Sequence, residues 1–244
     1  MSAADASGPE GSGRLRFSHR AFDLGLYLVA DGDSANGRPL AEIVAAAVDG
    51  GATFVQLRRK NAPARAFLDD VAASAAHTAG RAALVVNDRV DVYLAARAAG
   101  VRVDGVHIGQ SDLPAPLVRR LVGPGAILGL SAGTPSELAS LAAMPAGTVS
   151  YLGTGAVRPT PTKPDHPDPL GFRGLAEFAA AAPLPCVAIG GLGHGDAAAV
   201  ADAGAAGMAV VRAICAAEDP AAAARSLRAE WDAASSETRP GARA

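Results

Sequence analysis

The segment VQLRRK places Gln56, Arg58 and Lys60 at alternate positions. In an extended strand alternate residues share one face, and Val55 and Leu57 share the other. If the apolar face packs against helices, an amide and two cations project together. That set suits a phosphate or diphosphate, and Arg59 then points elsewhere. A solvated charge run at a loop start is the other reading. Next along the chain, VVNDR delivers Asn87, Asp88 and Arg89, and GQSD delivers Gln110 and Asp112, each after an apolar run. Asp88 and Asp112 are a natural pair for Mg2+, a hard cation that often takes one or two carboxylates plus substrate phosphates. N-capping of the helices that follow competes with this use, most strongly for Asp112 just before Leu113 and Pro114.

Further along, GLSAGT offers the Ser131 hydroxyl, with a plain turn residue as the alternative. The loop GTGAVRPTPTKPDHPDPLG is long for a strand–helix connection and rich in Pro and Thr. Proline lowers the entropy lost when such a loop orders over a ligand. Thr160, Thr162 and Lys163 supply hydroxyls and a cation, and Asp165 and His166 read as linker residues. Gly190 and Gly191 in AIGGLGHGD allow close backbone approach ahead of a helix. The chain thus offers one cationic, metal-assisted anion site and one built from backbone N–H groups.

The elements that carry these residues alternate in texture. Eight short apolar runs, 26–31, 53–58, 83–88, 105–109, 127–132, 149–155, 186–191 and 207–213, mostly end in polar residues or glycine. Continuous apolar strands of this kind belong to parallel sheets covered on both faces. Ala- and Leu-rich runs between them have helical spacing, as in Leu40, Ile43, Val44, Ala47 and Val48. Runs 66–79, 90–99, 114–122 and 197–203 are similar, and Asp219-Pro220 opens a last helix. Strand–helix alternation repeated eight times predicts a (β/α)8 TIM barrel. The open doubly wound sheet is the alternative, weakened because no GxGxxG follows the first run. In such a barrel the C-terminal ends of the strands form the active face, where all the residues above fall.

Composition bounds the rest. Of 244 residues, 50% are hydrophobic and 4% aromatic, so Ala, Val, Leu and Ile are expected to build the core. A formal net charge of −2 argues against nucleic-acid binding and leaves anionic substrates to local cations. Cys186 and Cys215 have no metal-type spacing and make no disulfide framework, which fits a reducing cytoplasm. No apolar run approaches the roughly 20 residues that span a bilayer, so no membrane partner is expected. A disordered tail over 1–20, one barrel domain over 21–232 and a second tail over 233–244 complete the reading. Phosphorylated small molecules are the expected partners, and a homo-oligomer is left open.

The segments YLVAD, VQLRRK, VVNDRVD, GVHIGQSDLP, GLSAGT, YLGTGAVRPTPTK, VAIGGL and AVVRAI, in this order, resemble the thiamine-phosphate synthase family. The resemblance covers about residues 26–230. It implies the same barrel and a transferase that joins hydroxymethylpyrimidine diphosphate to hydroxyethylthiazole phosphate, releasing pyrophosphate. By this resemblance the segment Gln56, Leu57, Arg58, Arg59 and Lys60, with Asn87, Ser131 and Lys163, holds the pyrimidine diphosphate. Lys163, Arg58 and Lys60 stabilise the leaving pyrophosphate, and Asp88 and Asp112 bind Mg2+. Thr160, Pro161, Thr162, Gly191, Val211 and Arg212 match the thiazole phosphate positions. The chain departs from the family at Arg59, where Glu is common, and at Arg212, where Ser is common. The first has outward parity. The second preserves a backbone N–H contact but not a hydroxyl one. Two rivals, a thiazole tautomerase of the same barrel and a non-catalytic phosphate-binding regulatory barrel, need no paired metal carboxylates.

Overall fold

Parallel pairing joins every strand to its neighbour in sequence and the last to the first, closing an eight-stranded barrel. The strands are β1 Leu26–Asp31, β2 Phe54–Arg58, β3 Ala83–Asn87, β4 Gly105–Ile108, β5 Ile127–Ser131, β6 Tyr151–Thr154, β7 Cys186–Ile189 and β8 Gly207–Val210. Each lies within one of the apolar runs, and most stop short of its end, where polar residues or glycine leave the ladder for the loops. This computed structural model describes residues 22–160 and 168–238. Pro161, Thr162, Lys163, Asp165 and His166 lie outside the described residues, as do the 1–20 segment and residues 239–244.

Side-chain alternation splits the apolar residues into two cores. Leu26, Leu28, Ala30, Val55, Leu57, Leu84 and Val86 face the surrounding helices. Leu24, Tyr27, Val29, Phe54, Val85, Ile127, Tyr151, Val187 and Ala209 fill the interior, with Phe22 packed against them. The expected aliphatic core therefore describes the helix-facing layer better than the interior. Inside, the rings of Tyr27, Phe54 and Tyr151 meet with centroids 4.5, 5.3 and 6.1 Å apart. A closed barrel has no helix to send side chains inward, so a few large rings fill space that small residues would leave void.

The helices are α1 Leu40–Asp49, α2 Ala64–Thr78, α3 Val90–Ala98, α4 Ala115–Val122, α5 Pro135–Ala142, α6 Gly171–Ala181, α7 Ala197–Asp202, α8 Arg212–Cys215 and α9 Pro220–Thr238. The spacing read in α1 is the face it buries: Leu40, Ile43, Val44, Ala47 and Val48. In α9, Ala224, Leu227 and Trp231 form a buried stripe over α1, α7, α8 and β1. This helix runs to Thr238, past residue 233, where the sequence suggested a tail. The Ala- and Ser-rich composition behind that expectation also suits a helix here. Arg228 pairs with Asp232 at 2.8 Å, and Ser236 bonds back to the Ala233 carbonyl at 2.8 Å. Among the described residues no helix is long and apolar enough to cross a membrane.

Candidate active site

Strand β2 presents Phe54, Gln56 and Arg58 inward, and Leu57 outward among fully buried residues. Gln56 is buried, and its Nε2 donates to the Tyr27 hydroxyl at 2.6 Å. Arg58 Nη1 donates to Asp31 Oδ2 at 2.9 Å, and the Asp31 side chain is only 2% exposed. A carboxylate this buried is stable only if paired, so Asp31 locks Arg58 at the barrel mouth. Arg59 turns to the helix side and pairs with Asp70 of α2 at 3.3 Å. Neither the Leu57 nor the Arg59 side chain reaches the mouth. Lys60 is exposed in the turn beyond β2, where strand alternation has already ended. Asp31 was not singled out from the sequence, although the inward parity of Tyr27 and Val29 on β1 marks it.

Two carboxylates meet at the ends of β3 and β4. Asn87 is the last residue of β3, and Asp88 follows with φ +59°. Left-handed backbone is uncommon for any residue other than glycine, with Asp and Asn the best tolerated. The Asp88 N–H donates to the His107 carbonyl at 2.8 Å, which ties this turn to β4. Asp112 Oδ2 accepts from the Gly109 N–H at 2.7 Å, folding the loop back on its own strand. Capping explains neither residue. The N-cap of α3 is Arg89 and that of α4 is Pro114, both without a side-chain capping bond.

The Asp88 carboxyl is pushed up to about 6, first by burial, then by the charge and hydrogen bond of Asp112. Asn87 and Arg58 act in the other direction. Two acids that repel each other at a strand end are what a divalent cation relieves. Among the described residues no group of three or more His, Cys, Asp or Glu could hold a metal. The donor set still fits Mg2+, which keeps waters and takes substrate phosphate oxygens beside one or two carboxylates.

On the next strand, Ser131 ends β5 with its hydroxyl 3.0 Å from His107 Nε2. Its carbonyl accepts from Gln110 Nε2 at 2.6 Å. The loop after β6 runs alongside the end of β7, with the Val157 and Arg158 N–H groups donating to the Ile189 and Gly190 carbonyls at 2.9 and 3.0 Å. Gly190 and Gly191 have φ +103° and +67°. A Cβ on Gly190 would lie 2.7 Å from the Ala156 Cα, and one on Gly191 would lie 2.7 Å from the Arg158 Cβ. The close approach read from the sequence is thus, in part, one to this loop.

The Arg158 guanidinium grips Asp196 through both nitrogens at 2.8 and 3.0 Å and stands 5.0 Å from the Phe172 ring centre. Asp196 also accepts from the Gly193 N–H at 2.9 Å. This bridge between the loops after β6 and β7 was not anticipated. Thr160 ends the described part of the first loop. Val211 closes β8 against the interior core, and exposed Arg212 opens α8. The first N–H groups of such a helix lack partners within it.

The model of the family described as thiamine monophosphate synthase matches residues 26–214. The thiamine-phosphate synthase of Albidiferax ferrireducens is 46% identical over 224 residues, covering 91% of this chain and 99% of the relative. That of Moorella thermoacetica is 45% identical, covering 83% of this chain and 93% of the relative. Among solved structures, thiamine phosphate pyrophosphorylase from Pyrococcus furiosus superposes with a TM-score of 0.75 at 33% identity. It covers 86% of this chain and 96% of that one. Orotidine 5'-phosphate decarboxylase from Pyrococcus horikoshii, at 14% identity and a TM-score of 0.59, shares the fold.

Proposed function

The chain belongs to the thiamine monophosphate synthase family and is a transferase of thiamine phosphate synthesis; from that premise we propose that Mg2+ and the barrel-rim residues carry the reaction. The observation behind this reading is the contact between Asp88 and Asp112, with Arg58 close enough to oppose their repulsion. A thiazole tautomerase or a non-catalytic regulatory barrel has no use for such a pair.

The reaction breaks the bond between a methylene carbon and the pyrophosphate oxygen. An aminopyrimidine ring donates electron density to that carbon, so cleavage can run ahead of attack by the thiazole nitrogen. That nitrogen brings its own lone pair and no proton, so no general base is required. The work left to the protein is to hold two substrates in line and to stabilise negative charge on the leaving pyrophosphate. Arg58, fixed by Asp31, meets that charge from β2, with Lys60 and Lys163 as further cations and Asn87 as an amide donor. Asp88 and Asp112 would hold Mg2+, which when bound supplies Lewis-acid neutralisation of the pyrophosphate oxygens. Gln56 and Ser131 hold the pyrimidine ring. Leu57 and Arg59 can take part only through their backbone. Thr160, Thr162, Gly191, Val211 and Arg212 hold the thiazole phosphate, chiefly through N–H groups and hydroxyls, and Pro161, which has no N–H to donate, contributes chain stiffness between the two threonines. Cys186 and Cys215 are buried free thiols, which suits a cytoplasmic enzyme.

The test is to mix purified protein with both substrates, with Mg2+ and with EDTA, and to measure thiamine phosphate and pyrophosphate. Equal amounts of both products, formed only with Mg2+, are expected. Product at the full rate in EDTA would overturn the metal assignment.

A further inference from the structure

A hydrogen-bonded chain crosses the barrel interior just below the rim. Gln56 Nε2 donates to Tyr27 Oη at 2.6 Å, Tyr27 Oη meets Tyr151 Oη at 2.8 Å, Tyr151 Oη meets His107 Nδ1 at 2.9 Å, and His107 Nε2 meets Ser131 Oγ at 3.0 Å. Its two ends are the residues assigned to the pyrimidine ring; its three middle members have no role in the reaction as described above. The middle members are deeply buried, at 1% exposed for Tyr27, 0% for Tyr151 and 7% for His107. The sequence also makes room for them. A Cβ on Gly129 of β5 would collide with both the His107 ring and the Tyr151 ring, and one on Gly153 of β6 would lie 2.9 Å from the His107 ring.

Proton counting fixes the direction of this chain. An amide nitrogen can only donate, so Tyr27 accepts from Gln56. Burial raises both phenols well above their ordinary range, so each keeps its single proton at any working pH. Tyr27 then has one proton and one remaining partner, and donates to Tyr151. Tyr151 in turn donates to His107 Nδ1. A neutral imidazole that accepts at Nδ1 carries its proton on Nε2, and that proton goes to Ser131. With its amide nitrogen turned to Tyr27, Gln56 directs its amide oxygen away from that bond. Its Oε1 is therefore the atom left to meet a ligand, and the Ser131 hydroxyl proton is left free to donate.

We propose that Tyr27, Tyr151 and His107 are positioning residues that set the polarity of the pyrimidine site, so that it presents an acceptor at Gln56 and a donor at Ser131. An exocyclic amine on the ring satisfies Gln56, and a ring nitrogen satisfies Ser131. An oxo group in place of the amine puts a carbonyl against Oε1, a mismatch that a buried site penalises heavily. The chain thus selects a 4-aminopyrimidine over its 4-oxo counterpart. This inference rests on the pyrimidine assignment of the proposed function.

Two measurements test it. The first is made on the free enzyme with 15N-labelled histidine, the His107 signal being identified by its loss in His107→Gln. The wild type should show His107 neutral with its proton on Nε2, and Tyr151→Phe should shift the ring toward a mixture of tautomers. A proton on Nδ1 in the wild type would overturn the proposal whatever the enzyme's activity. The second compares kcat/KM for the 4-amino and 4-oxo pyrimidine diphosphates. Tyr27→Phe removes the hydroxyl that holds the Gln56 amide and leaves the ring packing intact, and Tyr151→Phe removes the acceptor for the Tyr27 proton. Each should lower the amino-to-oxo preference at least tenfold while the KM for thiazole phosphate stays within about twofold. An unchanged preference in both variants would reduce the chain to a structural role. Absence of any synthase activity in the wild type would instead count against the proposed function, and leaves the tautomer measurement as it stands.

Discussion

Backbone and charge are both unfavourable at Asp88. Its φ of +59° is a conformation that suits Asn better than most residues, and its carboxyl is pushed up to about 6 by burial and Asp112. A folded-state value above the ordinary 3.8 means that folding favours the protonated acid. The associated stability is present at low pH and is lost as pH rises from about 4 through about 6. Metal-free protein at pH 7.5 therefore carries a destabilised ion. Asp88→Asn keeps the shape, accepts the backbone and removes the charge. Its melting temperature without metal should exceed the wild type's at pH 7.5, with the gap closing as pH falls toward about 4 and narrowing when Mg2+ is added to both. Differential scanning fluorimetry reads this, and a variant less stable at every pH would refute it. Synthase activity should be lost, a stability gain at the expense of function. The leaving-group assignment makes a second demand. Lys163→Ala should cut kcat by about a hundredfold or more, the scale of losing one charge-stabilising donor, while the KM for thiazole phosphate changes little. Near-normal turnover would remove Lys163 from that role.

At the scale of elements, legibility followed sequence distance. Strand β2 was readable because Gln56, Leu57, Arg58 and Arg59 are adjacent and alternation alone assigns their faces. Asp31 needed the same rule on β1 together with its pairing to β2, where Asp31 lies opposite Arg58. The Tyr27–Tyr151 contact spans 124 positions, and no local pattern announces it. The clamp between the loops after β6 and β7 is hidden in the same way, since Arg158 and Asp196 are 38 positions apart. Its energetics are legible once seen. Asp196 is 8% exposed and Arg158 47%, so removing the arginine strands a nearly buried carboxylate with the Gly193 N–H as its remaining donor among the described residues. Arg158→Ala should cost about 1–3 kcal/mol of stability. It should also speed amide exchange at Val157 and raise the KM for thiazole phosphate several-fold, because Thr160 lies two residues beyond the clamp. Unchanged exchange at Val157 would show that the backbone bonds to Ile189 and Gly190 hold the loop unaided.

For the whole molecule the decisive step is closure. Seven of the eight strand pairings join neighbours in sequence, and the eighth joins β1 to β8 through Leu26, Tyr27 and Leu28 opposite Met208, Ala209 and Val210. That seam closes the longest loop in the fold, nearly the whole barrel, and so carries the largest single closure entropy, although this cost grows only with the logarithm of loop length. The eight-run pattern makes such a seam necessary, but the sequence does not show what secures it. Helix α9 packs on α1, α7, α8 and β1 and so straddles the joint, anchored by Leu227 at 0% and Trp231 at 6% exposure. The composition of its last turns reads as a tail because Ser and Ala serve tails and helix ends equally, and what separates the two is the buried stripe on the preceding turns. Trp231 is the protein's one tryptophan, and it packs against Gly25 at the entrance to β1. Trp231→Ala should lower stability by about 3–5 kcal/mol, read as a lower urea midpoint by circular dichroism. The loss should be localised: in native-state hydrogen exchange, the Met208 amide, which donates to the Gly25 carbonyl across the seam at 3.1 Å, should lose protection before those of Val106 and Leu128 on the far side of the barrel. Uniform loss on both sides would mean that α9 stabilises the barrel as a whole and leaves the seam no weaker than any other strand pair.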